Sequence, residues 1–207
     1  MRVGIVAYEG ADELDVVAPH RILGAAGFDV EVVAEERGAV ALSEGLVVAA
    51  TGDFATCPPL DVLLVTGGSS TETDRGRRVQ QRNERLLAFV RDRGANAQLV
   101  SAVCTGAFIL AEAGLLAGRR VNTHWQYRDE LDELMRRRGE PVEIVAERVV
   151  WDGDLVTCGG VTSAIDLSLD VVAHCLGEDH RGAVEAVLER STPALDDRAR
   201  AQMMQTR

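Results

Sequence analysis

The stretch Leu99-Val100-Ser101-Ala102-Val103-Cys104-Thr105-Gly106-Ala107-Phe108-Ile109-Leu110-Ala111 decides the fold. A strand-like apolar run enters one cysteine, a glycine follows two residues later, and an Ala-rich amphipathic segment continues. This pattern predicts a sharp strand-to-helix turn that lifts a nucleophile above a sheet edge and leaves the next backbone N–H groups free. Those amides and the start of the helix favour a thiolate, the form of cysteine that attacks carbon. Cys104 is therefore the expected centre of function.

On both sides of this turn, strand-like runs alternate with helical segments, the signature of a parallel sheet covered on both faces. Residues 3–8 read as a strand. Leu14, Val17, Ala18, Ile22 and Leu23 then recur at helical spacing within 12–26, and Gly27 closes the helix. Residues 28–34 read as a second strand. Residues 39–42 and 46–48 form a small hairpin around Ser43-Glu44-Gly45. The run Asp61-Val62-Leu63-Leu64-Val65-Thr66 is a buried strand delivered to Gly67-Gly68, and a helix over 83–94 precedes the strand 97–103. Further on, 121–124 is a short strand and 126–138 a charged, solvated helix. The turn Asp152-Gly153-Asp154 joins two hairpin strands, and helices follow over 162–176 and 181–190. The expected architecture is a single α/β domain over 1–207, with a polar tail from about residue 193.

The 207 residues supply enough material for a layered core, and with only 4% aromatics that core must be built from Val, Leu and Ala. A net charge of −11 argues against nucleic acid as a partner. Every basic residue is arginine, so lysine Schiff-base chemistry and lysine-dependent phosphate loops are excluded. No apolar run reaches the ~20 residues that span a bilayer, and Met1-Arg2 leads directly into a strand rather than a signal peptide. The four cysteines show no CxxC pair, and the four histidines have no zinc-ligand spacing. Reduced thiols, a cytoplasmic location, a small-molecule substrate, no metal and no cofactor are expected. Cys57, Cys158 and Cys175 read as small buried hydrophobes, or, for Cys158 beside Gly159-Gly160, as a neighbour of the site.

Loops at the carboxyl ends of parallel strands converge where such folds bind ligands. Gly67-Gly68-Ser69-Ser70 follows one strand, and its amides with that of Thr105 suit an oxyanion-type hole. The loop after the first strand offers Glu9, Asp12, Glu13 and Asp15. Asp15 is either a first-turn acid favoured by the helix dipole or, because it lies in an otherwise apolar stretch, the acid of the site, with Asp12 or Glu13 as substitutes. His124 is either a partner for the thiol or a packing residue of the turn.

Cys104-Thr105-Gly106-Ala107, Ala113-Gly114-Leu115-Leu116-Ala117-Gly118 and Thr123-His124-Trp125 together resemble the ThiJ/PfpI superfamily. The resemblance implies a flavodoxin-like, three-layer fold similar to class I glutamine amidotransferases, and a homodimer. Leu14-Asp15-Val16-Val17-Ala18-Pro19-His20, Glu147-Arg148-Val149-Val150 and Gly159-Gly160-Val161-Thr162-Ser163-Ala164-Ile165-Asp166 point to the isocyanide hydratase branch. In that branch a cysteine adds to the terminal isocyanide carbon, and hydrolysis of the thioimidate releases an N-substituted formamide, a lyase reaction. The resemblance maps Cys104 to the nucleophile, Asp15 to the acid–base group and Thr105 to a residue touching the intermediate.

The chain departs from superfamily patterns in three places. Thr105 replaces the histidine of peptidase-like members, which disfavours proteolysis. Thr66 stands where relatives carry proline, with little effect expected. Residues 72–82 are unusually polar and arginine-rich. Glyoxalase or deglycase chemistry and redox sensing through Cys104 are the competing functions. A regulator is disfavoured because residues 177–207 are too few for the paired helix-turn-helix units such relatives carry.

Overall fold

The computed structural model describes residues 1–70 and 75–190, so the polar tail expected from about 193 lies outside the described residues. β1 (Arg2–Val6) emerges directly from the N-terminus. α1 (Glu13–Ala25) starts where Asp12 accepts a hydrogen bond from the Leu14 amide. At its other end the Gly27 amide bonds to Gly24 O and the Phe28 amide to Leu23 O, with Gly27 in the left-handed region at φ +87°. This is a Schellman closure, which glycine adopts without a Cβ penalty.

β2 (Asp29–Ala34) follows, then the antiparallel pair β3 (Gly38–Ala41) and β4 (Val47–Ala50), the expected hairpin. The two-residue β5 (Gly52–Asp53) was not anticipated and adds an edge to the main sheet. β6 (Val62–Val65) is wholly buried. Beyond it come α2 (Arg77–Gln80), α3 (Glu84–Asn96, capped by the Asn83 side chain) and β7 (Leu99–Ala102). The latter enters α4 (Gly106–Glu112) through the Cys104 turn. The strand expected over 121–124 shrinks to β8 (Arg120–Val121), because Thr123 and His124 turn into a short 3-10 segment before α5 (Arg128–Arg137). β9 (Glu143–Ile144) pairs with β8. β10 (Val149–Asp152) and β11 (Leu155–Cys158) form the second hairpin, whose register places only Gly153 and Asp154 in the turn. α6 (Ser163–Leu176) and α7 (Glu178–Val187) complete the described chain.

The main sheet has the order β10-β11-β7-β6-β1-β2-β5, parallel except for β10 against β11. One group of helices, α1, α6 and α7, packs together, and α2, α3 and α4 form another. The result is the expected three-layer, mostly parallel α/β fold. Central strands bury residues on both faces, so Val62, Leu63, Leu64 and Val65 are all inaccessible. Each such aliphatic side chain contributes about 1.5–3 kcal/mol through its removal from water.

The chain runs from β1 outward to β2, then returns to place β6 on the other side of β1. The crevice between the carboxyl ends of β1 and β6 is thus the topological switch point. A single antiparallel bridge between Ala11 and Gly68 ties the two loops there. The Asp12 amide donates to Gly67 O at 3.0 Å and the Ser69 amide to Gly10 O at 3.0 Å.

Close packing of α4 on β6 depends on Gly106. A Cβ there would sit inside the contact distance of Val65 O and 2.9 Å from Thr66 O, both backbone atoms. Gly106→Ala is expected to lower unfolding free energy by about 2–4 kcal/mol. Gly24, helical and with nothing near its missing Cβ, is the converse case. Gly24→Ala should stabilise by about 0.5–1 kcal/mol. Urea titration of both variants checks the pair; similar effects of the two would refute this account.

Candidate active site

Cys104 adopts φ +56°, a left-handed conformation costing a non-glycine residue about 1–3 kcal/mol. Its neighbours hold it there. The Cys104 amide donates to Gly159 O at 3.1 Å, and the Thr123 hydroxyl donates to Cys104 O at 2.8 Å. The turn is therefore gripped from the end of β11 and from the segment after β8. This places the thiol at the floor of a cavity of about 300 Å³, whose wall includes Asp12, Gly68, Ser69, Ser70, Thr105 and His124.

Asp15 comes from the first turn of α1 and is completely buried. One carboxyl oxygen, Oδ2, accepts the Gly67 amide at 2.9 Å, while Oδ1 has no hydrogen-bond partner. The position of Gly67 shows how tightly these groups converge. A Cβ on it would lie 2.8 Å from Asp15 Oδ2, 2.8 Å from Cys104 Cβ and 2.7 Å from the Thr105 nitrogen. Asp12 and Glu13 play other parts. Asp12 caps α1 at the cavity wall, and Glu13 binds Ser43 Oγ and the Glu44 amide, fastening the β3–β4 hairpin to α1.

Burial raises the Asp15 pKa well above the usual carboxylate value; Asp12 adds to the rise and the Gly67 amide opposes it. Burial likewise drives the Cys104 thiol upward, with Asp15 adding to the rise; the amides of Thr105 and Val161 pull the other way. The amides favour the thiolate, as expected of this turn, but desolvation outweighs them. Burial also raises Tyr8, whose hydroxyl donates to Thr66 O at 2.9 Å beneath this pair.

The proposed oxyanion donors are also redistributed. The Gly67 amide is committed to Asp15, and the Gly68 amide to Thr105 Oγ1 at 3.0 Å, a hydroxyl that donates back to Gly68 O at 3.1 Å. Thr105 thus clamps the β6 loop with its side chain, and its amide faces the sulfur. The second amide facing the sulfur belongs to Val161, itself at φ +51°. Sequence reading missed it because a valine amide carries no compositional signal; only its place after Gly159-Gly160 hinted at the site. Ser69 lines the cavity beside Ser70.

His124 sits at the rim, half-buried, its ring packed over Gly160 and near Tyr127 at 5.6 Å. Partial burial lowers its pKa; Asp12 opposes this and Arg128 adds to it. A neutral imidazole there accepts the Gln126 amide through Nδ1 at 3.4 Å. Thr66 does more than expected: its hydroxyl donates to Val6 O at 2.7 Å, joining β6 to β1.

A further correction concerns the charged segments. Arg77, within the polar, arginine-rich stretch 72–82, is fully buried. Its guanidinium stacks 3.9 Å from the Phe108 ring centroid, donates to Ser70 Oγ at 2.8 Å and meets Glu130 at 3.0 Å. Glu130 belongs to α5, which the sequence presented as a solvated face. Leu131 and Met135 of that helix are also buried, so α5 covers the protein rather than merely facing water. Residues 71–74 lie outside the described residues.

Among the described residues no group of three or more His, Cys, Asp or Glu side chains could hold a metal ion, and all four cysteines are free. No described helix is long and apolar enough to cross a membrane.

The fold and the strained cysteine beside a buried carboxyl define a flavodoxin-like α/β protein of the strand–turn–helix cysteine class. The chain belongs to the DJ-1/PfpI family, whose family model matches residues 1–174. It is 35% identical over 190 residues to an isonitrile hydratase of Pseudomonas putida, covering 91% of this chain and 78% of that one. A deglycase of Thermococcus kodakarensis is 26% identical over 159 residues, 76% of this chain and 89% of that one. A ThiJ/PfpI family protein from Pseudomonas syringae superposes with a TM-score of 0.83 at 31% identity, covering 94% of this chain and 77% of that structure.

Because the folded Asp15 pKa is raised, its neutral form is the one the fold favours. Its contribution is complete below the unfolded carboxylate value and is lost as pH climbs through the folded value. Asp15→Asn should therefore gain stability over the wild type by about 1.4 kcal/mol per pH unit across that window, then level off. Thermal melts from pH 4 to pH 8 measure the difference; a gap independent of pH would show that Asp15 is not held neutral.

Proposed function

We propose that this protein is an isocyanide hydratase, forming an N-substituted formamide from an isocyanide and water. The observation that carries the reading is a buried, half-unpartnered carboxyl packed against Cys104, in a chain 35% identical to an isonitrile hydratase over most of its length. Here Cys104 is the nucleophile and Asp15 the proton carrier. Sulfur forms a bond to the terminal isocyanide carbon while the Asp15 carboxyl protonates that carbon. The thiol proton returns to the carboxyl, leaving the thioimidate R–N=CH–S–Cys104.

Water then adds across the C=N bond, and the tetrahedral adduct expels the Cys104 thiol to give R–NH–CHO. One carboxyl can release and recover protons in this cycle because burial keeps it from emptying into solvent. The Thr105 and Val161 amides stabilise negative charge as it develops on sulfur. Gly67 orients Asp15, Gly68 and Ser69 shape the wall, and His124 contacts the substrate at the rim. The reading carries with it a cytoplasmic homodimer, for which the exposed Leu14 and Val17 of α1 supply an apolar face.

Aldehyde processing is the second reading, favoured by the similarity to a deglycase and by the same acid–thiol pair. Formamide production from a simple aryl isocyanide tests the first. Wild-type turnover should fall at least about 100-fold in Asp15→Asn and vanish in Cys104→Ala. Absence of wild-type turnover, with methylglyoxal consumed instead, would replace the hydratase by the aldehyde reading.

A further inference from the structure

The cavity over Cys104 carries its own information about what enters. Small-molecule pockets are mostly apolar, yet this one is walled by Asp12, Ser43, Glu44, Ser70, His124 and Gln126. Two of these side chains are carboxylates, and His124 is held neutral by partial burial. Among the described residues, no cationic side chain lines it. Arginines border this wall from behind: Arg75 reaches Ser43 O at 3.4 Å, Arg77 donates to Ser70 Oγ at 2.8 Å, and Arg128, which bears on His124, donates to Asn122 Oδ1 at 2.9 Å.

The field of Asp12 reaches Asp15, Cys104 and His124 alike, since it bears on the proton affinity of all three. Behind the Cys104 turn, fully buried Asp15 keeps one carboxyl oxygen, Oδ1, without a hydrogen-bond partner, where a polar atom so buried normally has one.

We propose that this cavity admits small, polar molecules that are neutral or cationic and rejects carboxylates, with Asp12 and Glu44 as the residues that set this selection. Resting on the hydratase reading, the substrate is a small isocyanide whose substituent carries hydroxyl, amide or ammonium groups rather than an acid or a bulky hydrocarbon. A carboxylate-bearing isocyanide would meet two like charges on its way to the thiol. An ammonium-bearing one would be drawn in, and its N≡C end would still reach Cys104 uncharged.

The test uses two readouts on the full chain. The first is kcat/KM for formamide formation from an ammonium-bearing, a hydroxyl-bearing and a carboxylate-bearing alkyl isocyanide. The second needs no turnover: the rate at which Cys104 is modified by cationic trimethylammonioethyl and anionic sulfonatoethyl methanethiosulfonates. Each rate is normalised to the same reagent acting on a free thiol, with the Cys104→Ala signal subtracted. The normalised cation-to-anion ratio should exceed about 10, fall by about 5- to 10-fold in Asp12→Asn/Glu44→Gln, and shrink with added salt. Asparagine preserves the cap acceptor at position 12. A ratio near one, or one the double variant leaves unchanged, overturns the proposal even if isocyanides are hydrated. A persistent ratio with no isocyanide turned over overturns the hydratase reading and leaves the charge selection standing.

Discussion

Everything at the site depends on the absence of a side chain at Gly67. Its backbone lies where the end of β6, the first turn of α1 and the Cys104 turn meet, and any Cβ would collide with Asp15 of α1 and with Cys104 and Thr105 of the turn. Because that space is empty, the Gly67 amide can hold Asp15 Oδ2 at 2.9 Å, and the carboxyl can rest against the cysteine. The contact requires β1 and β6 to be neighbours in the sheet, and the Ala11–Gly68 bridge secures the loops that follow them. The sheet order and the proton chemistry are thus linked through one glycine.

Burial then decides the electrostatics. A thiol at the start of a helix is commonly read as an acidified thiol, and two amides do face this one. Yet the thiol and Asp15 are both buried, and the carboxyl contributes repulsion rather than a counter-charge. Burial thus favours the protonated form of each acid over the ion. The strain at Cys104 is sustained by its own amide donating to Gly159 O and by the Thr123 hydroxyl donating to Cys104 O, partners from separate parts of the chain.

The wall of the cavity is held from outside by a different kind of interaction. Arg77, stacked on Phe108 and paired with Glu130, joins the helix after the Cys104 turn to α5 and to Ser70. Removing Glu130 would leave the buried Arg77 charge without its carboxylate, whereas Glu130 is also paired with Arg78, so the buried arginine is the member that depends on the cluster. It explains why an arginine-rich segment and a charged helix, each surface-like alone, are both partly interior.

Much of this was legible in the order of residues. Apolar runs and helical periods fixed the alternation of strands and helices, since burial on one or two faces leaves a repeating mark on a chain. The strand–Cys–x–Gly–helix pattern singled out Cys104 as a candidate, and an acid in an apolar stretch, together with the family resemblance, singled out Asp15, because a lone carboxyl among hydrophobes is costly. Tertiary structure alone decided the rest. Which amides face the sulfur, that Gly67 and Gly68 spend theirs internally, that Arg77 is buried, and that the thiol is driven upward all depend on distances between segments far apart in sequence. A sequence records what each residue can do; desolvation and hydrogen-bond partnership exist only once folding has brought the other residues to it.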